Sequence, residues 1–120
     1  MSHGEKKIAK IIEELTMFFF SVGAHRIKSG IEILEGQAVI SLWADYDKQF
    51  RSSLKYMEEC FGGEKNQGIE DFYWELAGSG EPGEASQLLL VGMMVDKAEI
   101  RIEEKEVSLK LYKNIEDGYI

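Results

Sequence analysis

Two aspartates, Asp45 and Asp47, are the first candidates for chemistry, because they stand two positions apart at the end of an alternating apolar segment. At a strand end both carboxylates would point to the same side and could bind a cation. Carboxylates in this position more often cap a turn or the start of the next helix. Because no further acidic residue is close in sequence, we favour the capping role.

Four further residues are of types that take part in catalysis. Glu13 and Glu14 could act as general bases, but they stand at the border of an apolar helical stripe, where solvated carboxylates are typical. His25 and Cys60 could form a nucleophilic pair if the fold brings them together, although no local signature supports this. Cys60 is the lone cysteine, which excludes an intrachain disulfide and is typical of a reducing compartment.

Helical spacing predicts the elements that position these residues. An apolar stripe from Ile8 to Val22 predicts a first helix that stops at Gly23, and Met17 and Phe20 lie off that stripe. Either a second layer of the protein covers these two side chains, or they meet a partner. The other predicted helices cover residues 50–61, 69–76 and 85–95.

Alternating apolar residues predict two hairpins, at 27–43 and 100–111. A single shift of the sequence aligns them without a gap, and it places Lys28 on Lys97 and Trp43 on Tyr112. Two such units can agree by chance or through duplication. Both interpretations predict an α+β fold, a two-layer α/β sandwich with a mostly antiparallel four-stranded sheet of two hairpins and helices on one face.

Length and charge narrow the class of protein. The 120 residues suit a single domain over 1–120, with 1–4 and 114–120 expected to be frayed. The formal net charge is −8, and an acidic chain repels phosphate backbones, so we expect no nucleic-acid partner. With no apolar stretch long enough for a membrane and no secretory leader in view, we expect no membrane partner and a cytoplasmic protein.

Acidic residues concentrate between Glu58 and Glu84, where eight of them accompany a single basic residue. This segment is either a solvated surface or a docking surface for a basic partner. Within it, Trp74 lies off the apolar stripe of its predicted helix, beside Glu70 and Asp71. An aromatic side chain in that position is either a second packing contact or a partner anchor.

The order of helix, hairpin, helices with a glycine loop, buried helix and hairpin resembles the ATP-binding fold of the GHKL family, which includes gyrase, histidine kinases and anti-sigma-factor serine kinases. The resemblance extends from about Glu5 to Lys113. It is strongest from Gly83 to Ile100, which looks like the glycine box, final helix and strand of that family.

The family's site residues are only partly present. Glu14 matches the family's catalytic base, and Asp45 matches the aspartate that reads adenine. Phe18 stands where the family has a magnesium-holding asparagine, and a phenyl ring offers no oxygen ligand. Asp47 and Gln49 stand where the family has glycines, and they would crowd and repel a nucleotide.

Gly78, Gly80 and Gly83 match the family's lid loop, but no Lys or Arg accompanies them to balance phosphate charge. The loop also lacks the Gly-Lys-Ser/Thr of a phosphate loop. The resemblance therefore implies a relative that has lost its nucleotide site, and we expect neither a cofactor nor a metal.

We accordingly expect a non-catalytic regulatory or protein-interaction module, which docks on another protein or on itself. The residues expected to meet a partner are Met17, Phe20, Trp74, Glu70 and Asp71. Exposed apolar side chains at Met17 and Phe20 also lead us to expect a homodimer.

Two alternatives belong to other functional classes. The first is a residual ATP-binding serine kinase of the anti-sigma type, in which Glu14 would activate the attacking hydroxyl and Asp45 would read the adenine amino group. The second is a small-ligand protein with a pocket between sheet and helices, lined by Phe18, Trp43 and Met57.

Overall fold

A computed structural model of the chain describes residues 3–62 and 84–115. In these residues the elements follow the order α1 (His3–Ser21), β1 (Ile27–Leu34), β2 (Gln37–Asp45), a 3₁₀ turn (Lys48–Phe50), α2 (Arg51–Gly62), α3 (Glu84–Met94), β3 (Lys97–Ile102) and β4 (Glu106–Asn114). The helix predicted at 69–76 and the predicted glycine loop lie outside the described residues.

The four strands form one antiparallel sheet in the order β1-β2-β4-β3. The two hairpins therefore lie side by side and join through β2 and β4, where Leu42 pairs with Leu109. Helices pack on one face of this sheet. The predicted α+β fold, a two-layer α/β sandwich, is confirmed.

The strands pair in equivalent registers in the two hairpins, as expected from the sequence shift that aligns Lys28 with Lys97. Ile31 pairs with Ile40 in the first hairpin, and their equivalents under the same shift, Ile100 and Leu109, pair in the second. At the centre of the sheet Ser41 pairs with its own equivalent in the repeat, Lys110. The sheet therefore has an approximate two-fold axis at this pair.

The core lies between the helices and the inner face of the sheet. Alternate residues of β2, such as Ile40 and Leu42, point inwards and are buried, while their neighbours point to the outer face. Leu15 and Phe19 of α1 are fully buried in the same core cluster. Burial of this apolar surface is the main favourable contribution to folding.

Helix α1 ends just before Gly23, as the sequence predicts. The N–H of Gly23 donates to Phe20 O, and the N–H of Ala24 donates to Phe19 O at 3.0 Å. These two bonds form a Schellman motif, with Gly23 in the left-handed region at φ 86°. The predicted stop at Gly23 is confirmed.

At both ends, regular structure continues into residues that we expected to be frayed. His3 and Gly4 belong to α1, and Asn114 belongs to β4. The N–H of Ile115 donates to Gly36 O at 2.9 Å, and its side chain lies against Gly4. Contact between the start of α1 and the end of β4 accounts for this longer ordered region.

Candidate functional site

The carboxylates of Asp45 and Asp47 bind backbone groups of the chain itself. Asp45 Oδ1 accepts from the N–H groups of His25 at 2.8 Å and Arg26 at 3.0 Å, and the bond from Arg26 is the main reason that the pKa of Asp45 lies below its usual value. Asp47 caps the 3₁₀ turn by accepting from the N–H of Gln49 at 3.1 Å. Asp47 therefore has the capping role that we favoured, whereas Asp45 joins the end of β2 to the segment that leads into β1.

No group of three or more His, Cys, Asp or Glu side chains suited to a metal ion occurs within residues 3–62 and 84–115.

Glu14 differs from the solvated carboxylate that we expected. Its side chain is only 11% exposed, and its Oε2 atom lies 2.8 Å from Lys10 Nζ, one helical turn away. This ion pair raises the pKa of Lys10. Glu13 is exposed, as expected. One turn after Glu14, Phe18 is buried in the core, where its ring serves packing.

Cys60 is buried on α2, whereas His25 is exposed. Burial raises the pKa of the Cys60 thiol to about 11. A thiol with this pKa is protonated at neutral pH, and the thiolate is the nucleophilic form. The raised pKa of Cys60 therefore leaves no activated thiolate nucleophile at this position at neutral pH.

Trp43 lies on the opposite side of the sheet from the core. Phe18 and Met57 are buried between the helices and the sheet, but Trp43 alternates with inward-pointing Leu42 and faces outwards. The expectation that Phe18, Trp43 and Met57 line one ligand pocket is therefore wrong, because strand alternation places Trp43 on the other face.

The outer face of the sheet is a shallow concavity of about 660 Å³. Lys28 and Arg26 lie over the Trp43 ring, at 5.2 and 5.6 Å from its centre. Across the two-fold axis, Lys97 lies over the Tyr112 ring at 5.3 Å. The two hairpins therefore place a cation over an aromatic ring at equivalent positions of the outer face.

The exposed apolar side chains of the described residues are concentrated on α1 and β1. Met17 is 58% exposed and Phe20 64%, while Ile31 and Ile33 are each 50% exposed and Leu34 57%. A groove of about 350 Å³ runs between the two elements and is lined by Glu5, Ile8, Ala9, Ile31 and Ile33. Phe20 follows Ala9 by eleven positions, so the two lie within roughly 20° of each other around the helix. We call this groove, together with Phe20 roughly 16 Å further along the same side of α1, the α1–β1 flank. Met17 lies about 180° around the helix from Ile8 and is not part of it.

Comparison of the two hairpins shows why this flank is open. Ile100 and Ile102 of β3 are the repeat equivalents of Ile31 and Ile33, and both are partly buried against the core. Helix α2 packs against β3, whereas no described helix covers β1 in this way. The same sequence pattern is therefore covered at one edge of the sheet and open at the other.

Sequence reasoning identified Phe20 in this flank but missed Ile31 and Ile33, and Met17, which it also identified, is exposed on another side of α1. Their alternation predicts an apolar strand face, and we expected helices to cover it. The predicted partner residues Trp74, Glu70 and Asp71 lie outside the described residues, as do Gly78, Gly80 and Gly83.

Comparison with known protein families, with curated proteins and with solved structures finds no match for this chain. None of the helices in the described part of the chain has the length and apolar character needed to cross a membrane.

Proposed function

We propose that this protein is a non-catalytic interaction module that binds a protein partner through the α1–β1 flank. The observation that carries the proposal is the exposure of Ile31 and Ile33 along an apolar groove that Ile8 and Ala9 of α1 also line. Contiguous apolar surface of this kind is typical of a docking site, and scattered apolar side chains are not. A groove between a helix and a sheet edge suits an added strand or an amphipathic helix.

The state of the polar candidates also supports a non-catalytic role. Asp45 and Asp47 bind backbone N–H groups, Glu14 is paired with Lys10, and the Cys60 thiol is protonated at neutral pH. Each of these groups thus has a structural partner or lacks the charge that chemistry would need.

Photo-crosslinking tests this proposal. A photoreactive phenylalanine analogue at Phe20 should give a covalent adduct with one defined protein in cells, and Ile31→Glu in the same chain should suppress that adduct. The control places the analogue at Glu104, an exposed site in the β3–β4 turn. Equal labelling at Phe20 and Glu104, or an adduct insensitive to Ile31→Glu, would contradict a specific docking surface.

A residual ATP-binding kinase is the second candidate, and the GHKL resemblance favours it. It requires nucleotide to bind near Glu14 and Asp45, so magnesium and ATP should raise the melting temperature. If the protein is an interaction module, magnesium and ATP should leave its melting temperature unchanged, even at roughly 100 times a typical micromolar Kd. A shift that Asp45→Asn abolishes would favour the kinase.

A further inference from the structure

We infer that the occupant of the α1–β1 flank is a second copy of this chain, whose β1 pairs antiparallel with the first β1 around a two-fold axis at Gly30. This inference rests on the proposed function, because it identifies the partner of the same surface. The two four-stranded sheets would then continue into one another as a single eight-stranded sheet. The open flanks of the two α1 helices would face each other across the joined strands.

The ladder between β1 and β2 shows which backbone groups point to the free edge. Arg26 O accepts from the N–H of Asp45, and bonded pairs in an antiparallel ladder recur at every second residue. Lys28, Gly30 and Glu32 therefore bond to β2. The N–H and C=O groups of the residues between them point outwards, in a row that can template another strand.

Charge selects the register of the self-pairing. With Gly30 opposite Gly30, Lys28 of each copy lies opposite Glu32 of the other, so two-fold symmetry forms the ion pair twice. Lys28 and Glu32 are the only charged residues of β1. A slip to Ile31 opposite Ile31 would place Lys28 against Leu34 and lose both ion pairs.

The same register also brings apolar residues together on the α1 side. On this face Ile27 lies opposite Ile33, and polar Ser29 lies opposite Ile31, with Ile31 and Ile33 lining the groove. A slip in the other direction, to Ser29 opposite Ser29, would pair only residues 27–31 of β1. Ile31 and Ile33 are each half exposed on this face, so pairing would reduce the apolar surface that they expose to water.

Charge reversal tests the register. In sedimentation at tens of micromolar, the wild type should be a dimer with twice the 13.7 kDa mass of the single chain. Lys28→Glu alone and Glu32→Lys alone should each weaken the dimer at least tenfold, because each places like charges opposite one another. The double variant with both substitutions should restore the dimer.

The two-fold repeat provides a matched control, Lys97→Glu. Lys97 lies over the Tyr112 ring as Lys28 lies over the Trp43 ring, but on the opposite edge of the sheet. This variant should keep the wild-type dissociation constant. Equal weakening by Lys97→Glu, or failure of the double variant to restore the dimer, would overturn the register.

Amide hydrogen exchange gives an independent readout. In a dimer, the N–H groups of Ile27, Ser29, Ile31 and Ile33 should become protected as concentration rises, while Lys28 and Gly30 stay protected throughout. A 13.7 kDa species at all concentrations, with fast exchange at the four outward groups, would overturn the inference. If the Phe20 adduct then proved to be a different protein, the interaction module would stand and only the choice of partner would fail.

Discussion

Burial of the Cys60 thiol affects stability at alkaline pH. Its pKa is raised to about 11, chiefly by burial, and the pKa of its neighbour Tyr56 is raised to about 12, also chiefly by burial. In both groups the folded chain favours the neutral form. Deprotonation should therefore favour unfolding.

We predict that the free energy of unfolding falls as pH rises from about 9 to about 11. The stabilisation by neutral Cys60 is complete below the unfolded pKa, about 8.5, and is lost as pH rises through the folded pKa. Urea titrations should show that this residue contributes a loss on the order of 1–2 kcal/mol. Cys60→Ala should remove that part of the pH dependence, and an unchanged slope in this variant would contradict the assignment.

Gly23 has a backbone conformation at the end of α1 that glycine adopts more easily than other residues. We predict that Gly23→Ala destabilises the protein by about 1–2 kcal/mol, because φ is 86° and a left-handed conformation is costly with a Cβ. The new Cβ would also lie 3.0 Å from Asp47 Cβ. Gly30→Ala, measured at a protein concentration at which the chain is monomeric, is the control, since a Cβ there meets nothing within 4 Å in the single chain. Equal melting temperatures for the two variants would refute this account of the α1 terminus.

At the scale of elements, α2 and α3 are in close contact at Gly92. A Cβ at this position would lie 2.3 Å from Cys60 O, a backbone atom that cannot move without shifting α2. We predict that Gly92→Ala costs at least about 2 kcal/mol, although alanine favours helix formation by about 1 kcal/mol over glycine. Thermal melts should show a smaller loss for Met93→Ala, a half-buried neighbour on α3. A neutral or stabilising Gly92→Ala would show that the helices can separate at this point.

The elements themselves were largely predictable from the sequence. Periodicity predicted α1, α2 and α3, and alternation predicted both hairpins. Gly23 was recognised as a helix stop and Asp47 as a cap, because single residue types have strong backbone preferences at these positions. Local physics is sufficient for such predictions.

The order of the hairpins was not predictable, and the open part of the candidate site depends on it. Ile31 and Ile100 occupy equivalent positions in strands with the same alternation, yet only Ile100 is covered by the helical layer. Alternation identifies an apolar face but does not identify what packs against it. Met17 and Phe20 were predictable because they depart from the helical stripe of their own element.

At the scale of the whole molecule, a nearly symmetric sheet carries an asymmetric layer of helices. Helix α1 packs against α3, and α3 against α2, which in turn covers β3. The described helices therefore cover the sheet from β3 inwards and leave the inner face of β1 open at Ile31 and Ile33. This offset creates the α1–β1 flank and confines the well-packed core to the centre of the sheet.

The loss of stability on truncating a side chain should likewise be large in the covered centre of the sheet and small at its open β1 edge. Leu111 on β4 is fully buried in the core cluster, whereas Leu34 at the end of β1 is 57% exposed. We predict that Leu111→Ala lowers the free energy of unfolding by about 3 kcal/mol, because it leaves a cavity among side chains that cannot collapse around it. Leu34→Ala should change it by less than about 0.5 kcal/mol.

Urea titrations followed by circular dichroism and by tryptophan fluorescence test this contrast. Both probes should give the same midpoint for each variant, with an unchanged denaturant slope, because a single core unfolds cooperatively. Comparable losses for Leu111→Ala and Leu34→Ala would mean that β1 is packed as tightly as β4. The outer face at the end of β1, where Leu34 pairs with Gln37, would then be covered in solution. The concentration dependence of the Leu34→Ala effect would tell whether a second copy covers it, since dimer stability rises with protein concentration.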